Sequence, residues 1–214
     1  MKYGLSRSQR LSHLPSLRGA AGFSLLELMM VLVMAAIILG IGAPSFQASL
    51  QRNRLQSTVS DVATSLSFAR AEAVILSEPV ALCPTVDTAS CSGSNWETGW
   101  LLFVDNGAGT GGAALDGTLN GSEELLRIGS PSPTGVTVRT IGLPSFQNIV
   151  FLEDGRLLQG QAGTFVICDA RGEQASRALV VSVSGQARLA VDGDGNGIVQ
   201  DHTPAGGTDV VCPS

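Results

Sequence analysis

The stretch Asp192–Asp201 is the part of the chain whose side chains have the spacing of metal ligands. Oxygen-bearing side chains occupy its first, third and fifth positions, and a glycine follows at the sixth. This order matches the start of an EF-hand-type calcium loop. The candidate ligands are Asp192, Asp194, Asn196, the backbone carbonyl of Ile198, and Asp201. The twelfth position is Thr203 rather than glutamate, so calcium binding and an acidic glycine-rich turn both remain open.

Glu27 also indicates chemistry, because it is the single charge in the apolar stretch from Phe23 to Ala43. As an α-helix this stretch would reach about 31 Å, which is enough to cross the hydrocarbon core of a bilayer. A carboxylate inside such a span costs about 2.5–3.5 kcal/mol, which indicates a functional residue with a cationic partner. A cut after Gly22 would supply that partner as the free α-amine of Phe23.

The hexapeptide Gly22-Phe23-Ser24-Leu25-Leu26-Glu27 resembles the class III signal of type IV pilins and type II secretion pseudopilins. The resemblance implies that a prepilin peptidase/methyltransferase cleaves after Gly22 and N-methylates Phe23. It also implies assembly roles for Glu27 and for Pro44, which lies where such pilins commonly carry a helix-kinking proline. The implied partners are other minor and major pilins or pseudopilins, the inner-membrane assembly platform and the lipid bilayer. An ordinary signal anchor or secretory signal peptide does not account for the glutamate.

Charges on the two sides of the apolar stretch predict the orientation of the chain. Residues 1–22 hold four basic residues and no acid: Lys2, Arg7, Arg10 and Arg18. The positive-inside rule therefore keeps the amino terminus in the cytoplasm and predicts a single-pass inner-membrane protein with a periplasmic carboxy-terminal domain. The resemblance implies that the protein then enters a pilus or pseudopilus filament. Without residues 1–22 the formal charge falls from −5 to −9, since four positive charges are lost.

The remaining chain is predicted to form one helix followed by strands. Apolar residues recur mostly every three or four positions from Phe46 to Leu76, so we expect the helix to continue until Glu78-Pro79 ends it. The predicted strands are Val80–Cys83, Gly99–Asp105, Val136–Ile141, Ile149–Leu152, Arg156–Leu158, Thr164–Cys168, Ala178–Val183 and Ala187–Val191. This order predicts an α+β fold, the helix-plus-antiparallel-sheet architecture of pilins. The expected segments are a leader at 1–22, a transmembrane assembly helix at 23–44, its periplasmic half at 45–78 and a β-rich domain at 79–214.

The pattern Trp96-x-x-Gly99-Trp100, followed by an apolar strand, resembles the signature of the GspH/FimT group of minor pilins and pseudopilins. Glu124–Arg127, Phe165–Asp169 and Arg177–Gly185 also match that group, so the resemblance extends over residues 19–189. It implies a structural subunit at or near the tip of a type IV pilus or type II secretion pseudopilus, where it helps to prime filament assembly. The two tryptophans are expected in the core, as large aromatic side chains usually are.

The cysteines predict disulfides in the exported domain. Cys83, Cys91, Cys168 and Cys212 all follow the apolar stretch, and an even count in an oxidising periplasm predicts two bonds. Three pairings are open, and proximity favours Cys83–Cys91 with Cys168–Cys212. A zinc site is the rival, but the chain has no Cys-x-x-Cys, and His202 is the only histidine beyond residue 22.

DNA binding is the alternative to a purely structural role. Some FimT-like minor pilins take up DNA through a Gly-Arg-x-Arg motif, and the matching place here is Gly185-Gln186-Ala187-Arg188. Only Arg188 of the two arginines is present. Because DNA affinity depends on several basic residues that displace counterions, the acidic domain is a poor candidate.

Catalysis has no support in the sequence. The glycines at 107–112 have the letters of a dinucleotide-binding loop, but the chain after them does not enter a helix. No nucleophile elbow or Ser/His/Asp set appears. We expect no enzyme, and no cofactor apart from the calcium hypothesis.

Overall fold

The structure, a computed structural model, describes residues 22–109, 111–143, 148–158, 162–201 and 207–213. The chain divides into two compact units, Met1–Phe46 and Gln47–Ser214. The leader before Gly22 lies outside the described residues, as do His202 and Thr203.

Helix α1 runs from Leu25 to Leu76. In the first unit its apolar side chains are exposed, and this part of the helix is long and apolar enough to cross a membrane, with a mean hydropathy of 2.5. Pro44 lies within the helix bounds, so the backbone is helical on both sides of it. The predicted membrane-spanning stretch therefore coincides with the start of a real helix.

In the second unit, one face of α1 is buried. Its buried apolar residues recur every three or four positions: Leu55, Val59, Val62, Leu66, Ala69 and Ala73. The helix ends at a left-handed Ser77 with φ of 55°. The N–H of Glu78 then donates to the carbonyl of Ala73 at 3.3 Å, as in a Schellman motif. The observed end is therefore within two residues of the one predicted from Pro79.

Eight strands form two antiparallel sheets of four in the described part of the chain. The first sheet has the order β3-β2-β1-β5, and the second has the order β4-β6-β7-β8. The strands are β1 Val80–Pro84, β2 Trp100–Val104, β3 Leu125–Gly129, β4 Val136–Ile141, β5 Ile149–Phe151, β6 Gly163–Asp169, β7 Arg177–Val181 and β8 Ala187–Leu189. The predicted α+β fold, with a long amino-terminal helix before antiparallel sheets, is confirmed.

The strands predicted from the sequence omit one observed strand and include one segment that is not a strand. Strand β3 was not among the predicted strands, because its burial does not alternate and Leu125 and Ile128 are exposed on this edge strand. Arg156–Leu158 is not a strand, although the chain turns back here. The N–H of Leu158 donates to the carbonyl of Val150 at 2.9 Å, but the pairing is limited to a single bridge between Phe151 and Leu157.

The two sheets and α1 share one core, to which each sheet contributes the alternate residues of its inner face. Trp96 lies edge-on to Phe165, with ring centroids 4.8 Å apart and an interplanar angle of 84°. The Nε1–H of Trp100 donates to the Oγ of Ser65 on α1 at 2.9 Å. Both tryptophans are thus core residues, as predicted. Gly129 allows the close approach, because a Cβ there would overlap the Trp100 indole.

Candidate assembly site

Glu27 lies in the first turn of α1, where the sequence of the helix start fixes its position. The Oγ of Ser24 accepts the N–H of Glu27 at 3.2 Å, and the carbonyl of Ser24 accepts the N–H of Leu28 at 3.1 Å. Ser24 is therefore the N-cap, and Glu27 stands at the third helical position, as in a capping box. A carboxylate here also interacts favourably with the positive end of the helix dipole.

The residues next to Glu27 are open to the surroundings. Phe23 precedes the helix and is 83% exposed, and Gly22 has no atom within 4 Å of the place where a Cβ would stand. Phe23 is four residues before Glu27, so both lie at the same end of α1. Pro44 is nineteen residues beyond Leu25, the first residue of α1 (44 minus 25), and its side chain lies outside the described atoms.

The proposed calcium ligands form turns among themselves. Asp192 accepts the N–H groups of Gly195 and Gly197 at 2.7 and 2.8 Å. The Nδ2 of Asn196 donates to Asp194 at 3.1 Å and to Asp209 at 2.7 Å.

The remaining two candidates in this loop have similar local roles. The N–H of Ile198 donates to Asn196, and Asp201 accepts both the N–H and the hydroxyl of Thr208. Among the described residues, no group of three or more His, Cys, Asp or Glu side chains is placed to hold a metal ion. Calcium binding through these residues therefore stays a prediction.

Arg188 is exposed on β8, the edge strand of the second sheet. It lines a shallow groove together with its neighbours on and before β8 and with one face of α1. The other lining residues are Ser67, Arg70, Ala71, Val74, Ile75, Gly185, Gln186 and Ala187. Arg70, the other cation of this groove, donates through Nε to the carbonyl of Gly155 at 2.9 Å. The part of the chain that the structure describes therefore brings no row of arginines to the predicted DNA motif.

Two disulfides are present, in the pairing that proximity favours. Cys83 is bonded to Cys91 and Cys168 to Cys212, with Cα–Cα distances of 5.5 and 5.8 Å. Cys83 and Cys168 lie on the outer faces of β1 and β6, opposite the shared core. Their partners belong to segments that cover those faces. Each bond thus fixes a covering loop to a sheet.

Asp105 is a carboxylate whose burial the sequence did not predict. It follows β2 and is fully buried, and its Oδ2 accepts the N–H of Gly117 at 2.8 Å. Its Oδ1 has no hydrogen-bond partner among the described residues. Burial, together with the charges of Glu123 and Asp116, raises the pKa of Asp105 to about 6, although the Gly117 hydrogen bond opposes this.

The second unit of the chain, Gln47–Ser214, decides the family. Residues 58–186 match the family described as Type II transport protein GspH. The chain belongs to the GspH family. Comparison with curated proteins gives no match.

Solved structures of two minor filament proteins are similar to this GspH-family chain. The type IV minor pilin FimU of Pseudomonas aeruginosa is 23% identical, with a TM-score of 0.49, over 66% of this chain and 91% of FimU. The minor pseudopilin EpsH from the Type 2 Secretion System of Vibrio cholerae is 14% identical, with a TM-score of 0.42, over 66% of this chain and 99% of EpsH.

The GspH match and the amino-terminal signal are independent observations. The matched range begins at Thr58 and includes both tryptophans, but it does not contain Gly22, Phe23 or Glu27. GspH-family proteins are structural pilins or pseudopilins rather than enzymes. Family membership therefore rests on the domain, while processing and assembly through Glu27 remain to be tested.

Proposed function

We propose that this chain is a minor subunit at or near the tip of a type IV pilus or type II secretion pseudopilus, where it helps to prime filament assembly. The observation that carries the proposal is the exposed apolar start of α1, with a single carboxylate in its first turn. Such a surface is costly in water but stable in a bilayer or against other apolar helices.

The proposed processing supplies the partner of Glu27. A prepilin peptidase cleaves after Gly22 and methylates the new α-amine of Phe23, which keeps its positive charge. In the filament, the Glu27 carboxylate of one subunit pairs with this amine of a neighbouring subunit. A charge pair in a low-dielectric surrounding is much stronger than one in water, and an unpaired carboxylate there is costly.

The proposed location follows from the same features. The apolar part of α1 holds the protein in the inner membrane until assembly, with the disulfide-bonded domain in the periplasm. The two disulfides support this orientation, because such bonds persist in oxidising compartments. The partners are other minor and major pilins or pseudopilins and the membrane platform that assembles them.

The test is the substitution Glu27→Ala in the full-length protein, expressed in its own cells. We expect normal cleavage and membrane insertion but at least a tenfold loss of the protein from sheared filaments. The matched control is Asp61→Ala, which removes an exposed carboxylate from the same helix beyond the apolar stretch. Incorporation of the Glu27→Ala protein at the level of the control would contradict the proposed charge pairing.

Two further observations decide the kind of filament. Recovery of the wild-type protein with surface pili identifies a type IV pilus subunit, whereas loss of protein secretion in a deletion strain with intact pili identifies a pseudopilus subunit. DNA uptake is not part of the proposal, because Arg188 is isolated and the processed chain carries a formal charge of −9 after four positive charges are removed from −5.

A further inference from the structure

A second groove, in the unit Gln47–Ser214, concentrates positive charge in an otherwise acidic protein. It has a volume of about 470 Å³ and lies between α1 and the segment before β7. Three arginines line it: Arg52, Arg171 and Arg177. We refer to it as the arginine groove.

Two of these arginines have no acidic partner among the described residues. Arg52 and Arg177 are exposed, and the Nη1 of Arg177 donates to the carbonyl of Ser176 at 2.9 Å. Arg171 differs, because its Nε and Nη2 bind both oxygens of the buried Asp169 at 2.6–3.0 Å. Arg171 is thereby fixed in position, whereas the other two guanidinium groups are available to a ligand.

The remaining lining suits a carboxylate ligand. Asn53, Gln56 and Gln174 add side-chain amide donors, and Leu55 and Ala175 add apolar surface. A guanidinium group presents paired N–H donors that match the two oxygens of a carboxylate. Like charges that face one groove also repel each other, and a bound anion removes this repulsion.

We infer that the arginine groove is the docking site for an acidic segment of a neighbouring filament subunit. The inference rests on the proposed function for the presence of such a neighbour. Charge complementarity identifies the chemistry, since the groove is positive while the processed chain as a whole is acidic. A short acidic segment meets only the local positive charge, whereas a long polyanion such as DNA also meets the negative surface around it.

The groove is distinct from the one that contains Arg188. Arg52 and Arg70 are 18 residues apart on α1 (70 minus 52), about 27 Å at 1.5 Å per residue. Arg188 therefore provides a matched control: it is an exposed arginine on the same unit that does not line the arginine groove.

The test places a photo-activated cross-linking residue at Gln174 in the full-length protein and irradiates isolated filaments. We expect a cross-linked peptide from another filament subunit that contains at least two Asp or Glu residues within about five positions. Arg52→Glu combined with Arg177→Glu should lower its yield about tenfold, because exposed ion pairs are lost and repulsion replaces them. Arg188→Glu should leave the yield unchanged. Arg171 is left intact, since its loss would leave Asp169 buried and unpaired.

The outcomes separate the groove from the proposed function. Suppose that the filaments contain the protein. The groove assignment alone is then overturned if the cross-link goes to lipid or nucleic acid, if it goes to a peptide without clustered acids, or if no cross-link forms. A yield that the double arginine variant does not change also overturns it, provided that the variant is present in the filaments. If the double variant is missing from filaments, Arg52→Gln and Arg177→Gln are each tested singly, and an unchanged yield in both overturns the assignment. If even the wild-type protein is absent from filaments, the proposed function fails and the groove assignment fails with it.

Discussion

Replacing the buried Asp105 with asparagine should change how the stability of the protein depends on pH. The carboxyl has an ordinary pKa of 3.8, raised to about 6 in the folded protein by burial first and then by Glu123 and Asp116. The folded state therefore binds the proton more tightly than the unfolded state between these two values. By linkage, this group's contribution is most favourable below pH of about 4 and is lost as the pH rises through about 6.

The size of the effect follows from the same two values. A rise from 3.8 to about 6 corresponds to about 3 kcal/mol, at about 1.4 kcal/mol per pH unit. Water around the exposed Asp116 screens part of this, so we expect about 1–3 kcal/mol. Asparagine has almost the same shape, and it does not titrate. The free energy of unfolding of Asp105→Asn, minus that of the wild type, should thus increase by about 1–3 kcal/mol from pH 4 to pH 8.

The assay is urea unfolding of the full-length protein in detergent micelles, followed by the fluorescence of the buried Trp96 and Trp100. Taking the change of this difference with pH cancels any constant effect of the new amide, as well as the titration of groups that do not interact with Asp105. Asp61→Asn is the control, because it makes the same carboxyl-to-amide change at an exposed position on α1. A difference for Asp105→Asn that does not change with pH would refute the reasoning.

The remaining predictions concern the packing of the β-rich unit. Serine at both Cys168 and Cys212 should lower the unfolding free energy by about 4 kcal/mol, because the disulfide between them closes a loop with a sequence separation of 44. Serine at both Cys83 and Cys91 should lower it by only about 2.5 kcal/mol, because that disulfide closes a loop with a separation of 8. Equal losses in urea unfolding would contradict the loop-length argument. Gly129→Ala should lower it by more than about 2 kcal/mol and shift the tryptophan emission, since a methyl group there overlaps the Trp100 indole; an unchanged urea midpoint would show that the core relaxes without cost.

The sequence predicted the elements whose residues pack on a regular period. The buried face of α1 repeats every three or four residues, and Ser77 and Pro79 give a physical reason for its end. Strands such as Val136–Ile141 were predicted at their observed bounds because their apolar residues stand out from the flanking turns. Strand β3 was missed because an edge strand with exposed Leu125 and Ile128 lacks such a pattern.

The sites were predictable where the signal is local along the chain. The disulfide pairing followed from proximity, and the Ser24-x-x-Glu27 capping box was readable in the sequence, although we did not infer it there. The burial of Asp105 was not predicted from the sequence, because the loop that supplies the Gly117 hydrogen bond covers it only in the folded protein. The arginine groove could not be predicted from the sequence either. Arg52 and Arg177 are 125 positions apart (177 minus 52), and only the tertiary structure brings them together.

The most direct test of the central claim is the intact mass of the protein from sheared filaments, together with its amino-terminal sequence. The account predicts a chain that begins at N-methylated Phe23 and is four hydrogens lighter than its reduced form, because both disulfides are closed. A chain that begins at Met1, or at a residue beyond Ala43, would contradict it, because the Phe23 amine that is proposed to pair with Glu27 would not exist.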